Sequence, residues 1–140
     1  MNVLVIDGSD RIRSRVTDRL RSVPGVATVV ATGTFREGFA LLQSDRFGLA
    51  ILELHLPDGS ASPMADAMKR ASNGLVVAVL SNDADPVNRR LCKKAGVDLF
   101  FDKSLEFDKL LQLTAELASA QPSGPDSDVD RTASAASSVG

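Results

Sequence analysis

The 140-residue sequence has no tryptophan and no tyrosine, and only one cysteine (Cys92) and one histidine (His55). Without the large aromatics there is little material for a platform on which nucleic-acid bases stack. One cysteine excludes an intramolecular disulfide and fits a reducing cytosol. His55, with no second histidine or cysteine partner, is weak material for a metal site and reads as a loop residue. No apolar run approaches the ~20 residues of a membrane helix. The start, Met1 to Asp7, has no basic segment and carries only a four-residue apolar run, so no signal peptide is expected. The net charge of -2 and pI near 5.3 give no hint of a nucleic-acid binder. A cytoplasmic chain with no membrane and no DNA partner is expected.

The phosphate-binding glycine motifs G-x-G-x-x-G and G-x-x-x-x-G-K-[ST] are missing, as is a nucleophile-histidine pair. What is present is an ordinary apolar fraction, 44%, in a length suited to one domain with a real core. From Gln121 on, Pro, Ser, Gly, Asp and Ala dominate without periodicity. We expect a domain over residues 1–119 and a disordered polar tail over 120–140.

Along residues 1–119 the hydrophobic period switches repeatedly between strand and helix. Val3 to Ile6 is a short buried strand ending at Asp7-Gly8. Ser9-Asp10 offers a cap, and Ile12, Val16 and Leu20 form the stripe of a helix rich in arginine. Val26 to Ala31 is a second strand, and Thr34 caps a helix with Phe35, Phe39 and Leu42 inward. Gly48 opens a third strand that ends at Glu53, before the turn Pro57-Asp58-Gly59. Ser62-Pro63 starts a third helix with Met64, Ala67, Met68 and Ala71 inward. Leu75 to Leu80 reads as a central parallel strand, with Ser81 at its end. Asp85-Pro86 starts a fourth helix with Val87, Leu91 and Ala95 inward. Val97 to Asp102 is a fifth strand, with Lys103 past its end. Glu106 to Leu117 is the last helix, with Phe107, Leu110, Leu111 and Thr114 on one side. Leu113 and Leu117 widen that stripe toward a partner surface.

Five β-α repeats with right-handed crossovers make an α/β fold, a doubly wound five-stranded parallel sheet. Parallel strands bring Asp7, Glu53, Ser81 and Lys103 to one carboxyl edge, where open α/β sheets build their sites. This ordered set, Asp7-Gly8, Glu53-x-x-x-Pro57, Ser81 and Lys103, resembles the receiver domain of bacterial response regulators. The resemblance covers about residues 1 to 119. It implies the flavodoxin-like (βα)5 fold with strand order 2-1-3-4-5 and a place in two-component phosphorelay signalling. In that family an acidic pair after the first strand and an aspartate ending the third bind Mg²⁺. The aspartate accepts a phosphoryl group from a histidine kinase. A Ser or Thr and a Lys contact that group, and an aromatic residue swings inward to reshape the face of the fourth helix, fifth strand and fifth helix. The resemblance assigns those last three roles to Ser81, Lys103 and Phe100.

Two positions depart from the pattern. Glu53 stands where the family has the acceptor aspartate, and Gly8 where it has the second acid. With Asp7, Glu53 and Lys103 the pocket carries -1, which does not demand a cation, so Mg²⁺ is weakened and Asp7 and Glu53 are poor metal candidates. Asp10 at the helix start favours a cap over replacing the lost acid. The extra methylene of Glu53 moves its carboxylate about 1.5 Å outward, which suppresses in-line transfer and lets the arm reach Ser81 and Lys103.

The expectation is a single-domain atypical receiver, not an enzyme and without a cofactor, acting by protein contact, with Glu53 as a pseudo-acceptor. Its partner would be a histidine kinase, a phosphotransfer protein or another regulator, with a homodimer through the last helix as a further arrangement. Alternatives are a still phosphorylatable receiver and, in a different class, a flavodoxin-like ligand-binding domain or small enzyme. Phe100 reads equally as core or as switch. Basic residues on the fourth helix, Arg89, Arg90, Lys93 and Lys94, lie nearer the expected output face than the arginines of the first.

Overall fold

The computed structural model describes residues 1–120. The tail expected over 120–140 therefore lies, past Ala120, outside the described residues. Seven strands and five helices follow one another as β1 (Asn2–Ile6), α1 (Asp10–Arg21), β2 (Thr28–Thr32), α2 (Phe35–Ser44), β3 (Leu49–Leu52), β4 (His55–Leu56), β5 (Gly59–Ser60), α3 (Ala61–Ala71), β6 (Val76–Ser81), α4 (Pro86–Lys94), β7 (Leu99–Asp102) and α5 (Phe107–Ala120). Strands β4 and β5 are a two-residue antiparallel hairpin beside the main sheet. The main sheet is parallel throughout, in the order β2-β1-β3-β6-β7. Setting the hairpin aside, this is the expected 2-1-3-4-5.

Alternation along the strands divides the interior in two. Leu4, Ile6, Ala50 and Leu52 face one side, where Leu42 of α2, Met64 and Met68 of α3 and Cys92 of α4 cover them. Val3, Val5, Leu49 and Ile51 face the other, covered by Val16 and Leu20 of α1 and Leu110 of α5. All four β3 residues are buried, as a strand covered on both faces must be. Gly38 lets α2 lie close on β1, because a Cβ there would come within 2.3 Å of Ile6 Cδ1.

Local chemistry sets the helix starts. Ser9 Oγ accepts from Ile12 N at 3.3 Å, so Ser9 is the cap, while Asp10 is helical and pairs with Arg13. Thr34 Oγ1 caps α2 by accepting from Glu37 N, and Glu37 Oε1 reaches back to accept from Thr34 Oγ1 and Gly33 N. Asp85 accepts from Asn88 N at 2.8 Å, with Pro86 at the first helical position.

Several expectations shift. Strands β2 and β7 start two residues later than Val26 and Val97, and α3 starts at Ala61 behind Ser60 rather than at Ser62-Pro63. The inward face of α3 is Ala61, Met64, Ala65 and Met68, an i, i+3, i+4, i+7 stripe, with Ala67 half-buried and Ala71 exposed at the helix end. Helix α5 runs to Ala120, and its Leu113 and Leu117 are half-buried against the second core, which reduces the stripe left for a partner. The largest change is in α4. Val87 and Leu91 point outward, 56% and 54% exposed, and Cys92 is the buried residue. Arg89 turns inward instead. Its Nε donates to Ala84 O at 3.0 Å, its Nη1 to Phe100 O at 3.2 Å and its Nη2 to Glu106 Oε1 at 2.9 Å. Three acceptors and the Phe100 ring, 5.0 Å beneath the guanidinium, satisfy a charged side chain there.

Candidate functional site

The sheet register builds the site. Ile6 pairs with Leu52 and Ser81 with Asp102, so Asp7, Glu53 and Lys103 each stand one residue past the last rung. Backbone bonds extend the ladder to them: Asp7 N donates to Thr32 O, Glu53 N to Ile6 O and Lys103 N to Ser81 O. Three groups distant in sequence are thereby held at one sheet edge, Asp7 and Glu53 on the adjoining β1 and β3 and Lys103 on β7 beyond β6, without a flexible loop between sheet and side chain.

Lys103 Nζ lies between the two acids, 3.0 Å from Asp7 Oδ2 and 2.5 Å from Glu53 Oε1. All three side chains are largely buried; Glu53 keeps 16% of its surface. The other oxygens are also engaged. Glu53 Oε2 accepts from Leu54 N at 2.6 Å, and Asp7 Oδ1 accepts from Ser9 N at 2.9 Å. Arg13 Nη1 donates to the Asp7 carbonyl at 2.7 Å, which fixes the start of α1 against the site. Burial alone would lower the Lys103 ammonium, but the hydrogen bonds and charges of Glu53 and Asp7 outweigh it and raise its pKa.

The rim is a cleft of about 470 Å³ whose mouth includes Gly8, His55, Pro57, Asn82 and Asp83. A Cβ on Gly8 would meet Pro57 Cδ at 3.1 Å, so the proline ring covers the place from which a second acid would extend. His55 Nε2 and Asp83 Oδ2 are hydrogen-bonded at 2.8 Å, joining β4 to the loop after β6. Ser81 is buried at the edge, but its Oγ accepts from Asp83 N at 3.2 Å and makes no bond to Glu53. The Glu53 arm thus reaches Lys103 and not Ser81, because the Leu54 amide holds its second oxygen. Phe100 is half-buried against the first core, under Arg89. Among the described residues no three His, Cys, Asp or Glu side chains are grouped to share a metal ion.

Two participants could not be read in the roles they take. Arg89 sits in the basic run of α4 expected near the output face, and only the fold supplies Ala84, Phe100 and Glu106 as its inward partners. Asp58 belongs to a Pro-Asp-Gly turn, yet its carboxylate accepts from Phe35 N and Arg36 N, both at 3.0 Å. Those backbone bonds lower its pKa and tie the β4–β5 turn to the start of α2.

Residues 3–115 match the model of the response regulator receiver domain. The chain belongs to the response-regulator receiver family. Solved receivers share its fold. A CheY-like receiver domain protein from Methanospirillum hungatei is 22% identical with a TM-score of 0.74, over 84% of this chain and 93% of that one. A response regulator from Burkholderia pseudomallei, with a phosphorylated aspartic acid and a calcium ion, is 22% identical with a TM-score of 0.73, over 84% of this chain and 68% of that one. The beryllofluoride-activated NtrC4 receiver domain dimer is 22% identical with a TM-score of 0.70, over 84% of this chain and 98% of that one. A comparison with curated proteins finds no match. This receiver is thus a module of two-component signalling, a family of signalling modules rather than typical enzymes. None of its described helices is long and apolar enough to cross a membrane.

Proposed function

We propose that this receiver signals by protein contact without phosphoryl transfer, Glu53 standing permanently where a phosphoryl group would sit. One observation carries the reading: Lys103 is already bound by Glu53 and Asp7, and all four carboxylate oxygens have a hydrogen-bond donor. An acceptor carboxylate must present a free oxygen to the donor phosphorus and to the charge-neutralising metal. Each Glu53 oxygen already has one of its two lone pairs engaged, and the carboxylate is turned onto Lys103 and the Leu54 amide rather than toward the open cleft. The metal argument runs the same way. Mg²⁺ needs near-octahedral oxygen ligands, and two carboxylates with an ammonium between them, beside a glycine covered by Pro57, do not fit it. The site chemistry is then electrostatic mimicry. A carboxylate supplies one negative charge against the ~1.5 to 2 of a phosphoryl group, so the mimicry is partial.

The domain of residues 1–119 would act in the cytoplasm, with no enzymatic step or cofactor of its own. Its partner would be a histidine kinase, a phosphotransfer protein or another regulator. A homodimer through α5 is a further arrangement, and the NtrC4 receiver described as a dimer supports dimerisation as such. Light scattering checks it, and a strict monomer at high concentration removes it.

The test of the main reading is a phosphodonor assay. The full chain is incubated with a small-molecule phosphodonor and Mg²⁺, and its intact mass is recorded. The expected spectrum is that of the unmodified chain. A stoichiometric, base-labile phosphate adduct mapped to Glu53 would restore the phosphorylatable receiver.

A further inference from the structure

Helix α1 carries most of its arginines outward. Arg11, Arg15 and Arg21 are exposed, and among the described residues none makes a salt bridge. Arg13 pairs with Asp10 and Arg19 with Asp108, so Asp18 alone on this helix offsets the other three, which leaves its outward side at +2. Helix α5 ends beside that side. Both helices cover the same face of the sheet, through Val16, Leu20 and Leu110. A Cβ on Gly25, in the turn after α1, would lie 2.8 Å from Ala118 Cβ, two residues before α5 ends at Ala120. The chain that follows holds Asp126, Asp128 and Asp130 against Arg131 alone, a charge of -2. Length and spacing fit as well. Six residues lead from Ala120 to Asp126, an extended reach of about 20 Å, and α1 from Arg21 to Arg11 is about 15 Å long. Arg11, Arg15 and Arg19 form a row with a repeat of about 6 Å. Aspartates at every second position of an extended chain stand on one side with a repeat of about 6.6 Å.

We propose that the segment Asp126 to Asp130 of this same chain lies extended along the outward side of α1, antiparallel to the helix, with its three carboxylates on the row of Arg19, Arg15 and Arg11. The tether chooses the occupant. Exposed arginine–aspartate pairs are individually weak, so an acidic segment of another molecule must be abundant to hold on. A short covalent link supplies an effective concentration on the order of millimolar. The exposed cations of α4, Arg90, Lys93 and Lys94, belong to the helix that covers the opposite face of the sheet through Cys92. The contact closes α1 to other acidic chains at low salt and opens it as salt rises. It goes beyond the reading of Glu53 and shares no residue with it.

The test uses the full chain, isotope-labelled for amide NMR and carrying a nitroxide on A133C; Cys92, 1% exposed, stays unlabelled in the folded protein. The nitroxide erases the signals of amides that it approaches. Amide signals of α1 are expected to be lost near about 0.01 M salt, where the screening length is about 30 Å, and to return near about 1 M, where it is about 3 Å. D126N/D128N/D130N, which alters no residue of the described fold, restores them at low salt, and so does R11E/R15E, while R90E/K94E changes nothing. Thermal melts establish that each variant is folded. A mixture of isotope-labelled chain and nitroxide-bearing unlabelled chain shows no loss, because the contact is made within one molecule. Undiminished α1 signals at low salt, a loss centred on α4, or a loss that survives D126N/D128N/D130N would overturn the proposal. A loss in the mixture equal to that in the single chain would overturn it in favour of a second copy. A phosphate adduct on Glu53 would overturn the contact-only reading and leave each of these outcomes as it stands.

Discussion

Glu53 carries one methylene more than aspartate, and that methylene decides where its oxygens go: one to Lys103, one to the Leu54 amide. The Lys103 pKa is raised in the folded protein. A lysine raised on folding stabilises fully below its unfolded pKa and loses that contribution as pH climbs through the folded value. Stability is therefore expected to fall above about pH 10.5, and a Lys103→Met variant should lack that alkaline component in chemical denaturation across pH. Glu106 behaves in the opposite sense. The Asp102 amide and the Arg89 guanidinium hold it near a pKa of about 2, against an ordinary 4.5. Its contribution is present above pH 4.5 and lost as pH falls toward 2. Arg89→Gln should shrink the loss of melting temperature across that interval, and an unchanged acid profile would remove Arg89 from the account. At this scale the sequence was partly legible. Asp7, Glu53 and Lys103 could be read because parallel strands end at one edge. The Leu54 amide could not, because a main-chain donor leaves no mark in residue type.

Helix α4 is where pattern and structure part. Val87, Leu91 and Ala95 repeat every four residues and so read as an inward stripe. In the fold only Cys92 is buried, and Arg89 replaces the stripe as the inward anchor. Periodicity counts apolar residues. It cannot weigh an arginine whose acceptors come from the loop before α4, the strand β7 and the residue preceding α5. Where the stripe had no such rival, as in α1 with Val16 and Leu20, the reading held. The difference is measurable. Leu91→Gln should change unfolding free energy by less than ~0.5 kcal/mol, as exposed substitutions do. Met68→Ala, in the fully buried face of α3, should cost ~2–5 kcal/mol. Comparable losses would mean that Leu91 is in the core after all.

For the whole molecule, the β-α alternation specified the architecture because each crossover must return a strand parallel to the last. The β4–β5 hairpin escaped notice, since two-residue strands are too short to show a period. Docked on this sheet, the site behaves as one electrostatic unit: two acids and one lysine, all largely buried. A largely buried cluster of this kind has meaning only if its members depend on each other. A double-mutant cycle in chemical denaturation, Glu53→Gln, Lys103→Met and the two combined, measures that dependence without reference to any partner. The account expects each single variant to lose stability and the double variant to lose less than their sum, with a coupling of about 1–3 kcal/mol. Additive losses, with coupling below about 0.3 kcal/mol, would contradict it, because Glu53 would then not be the group that occupies Lys103.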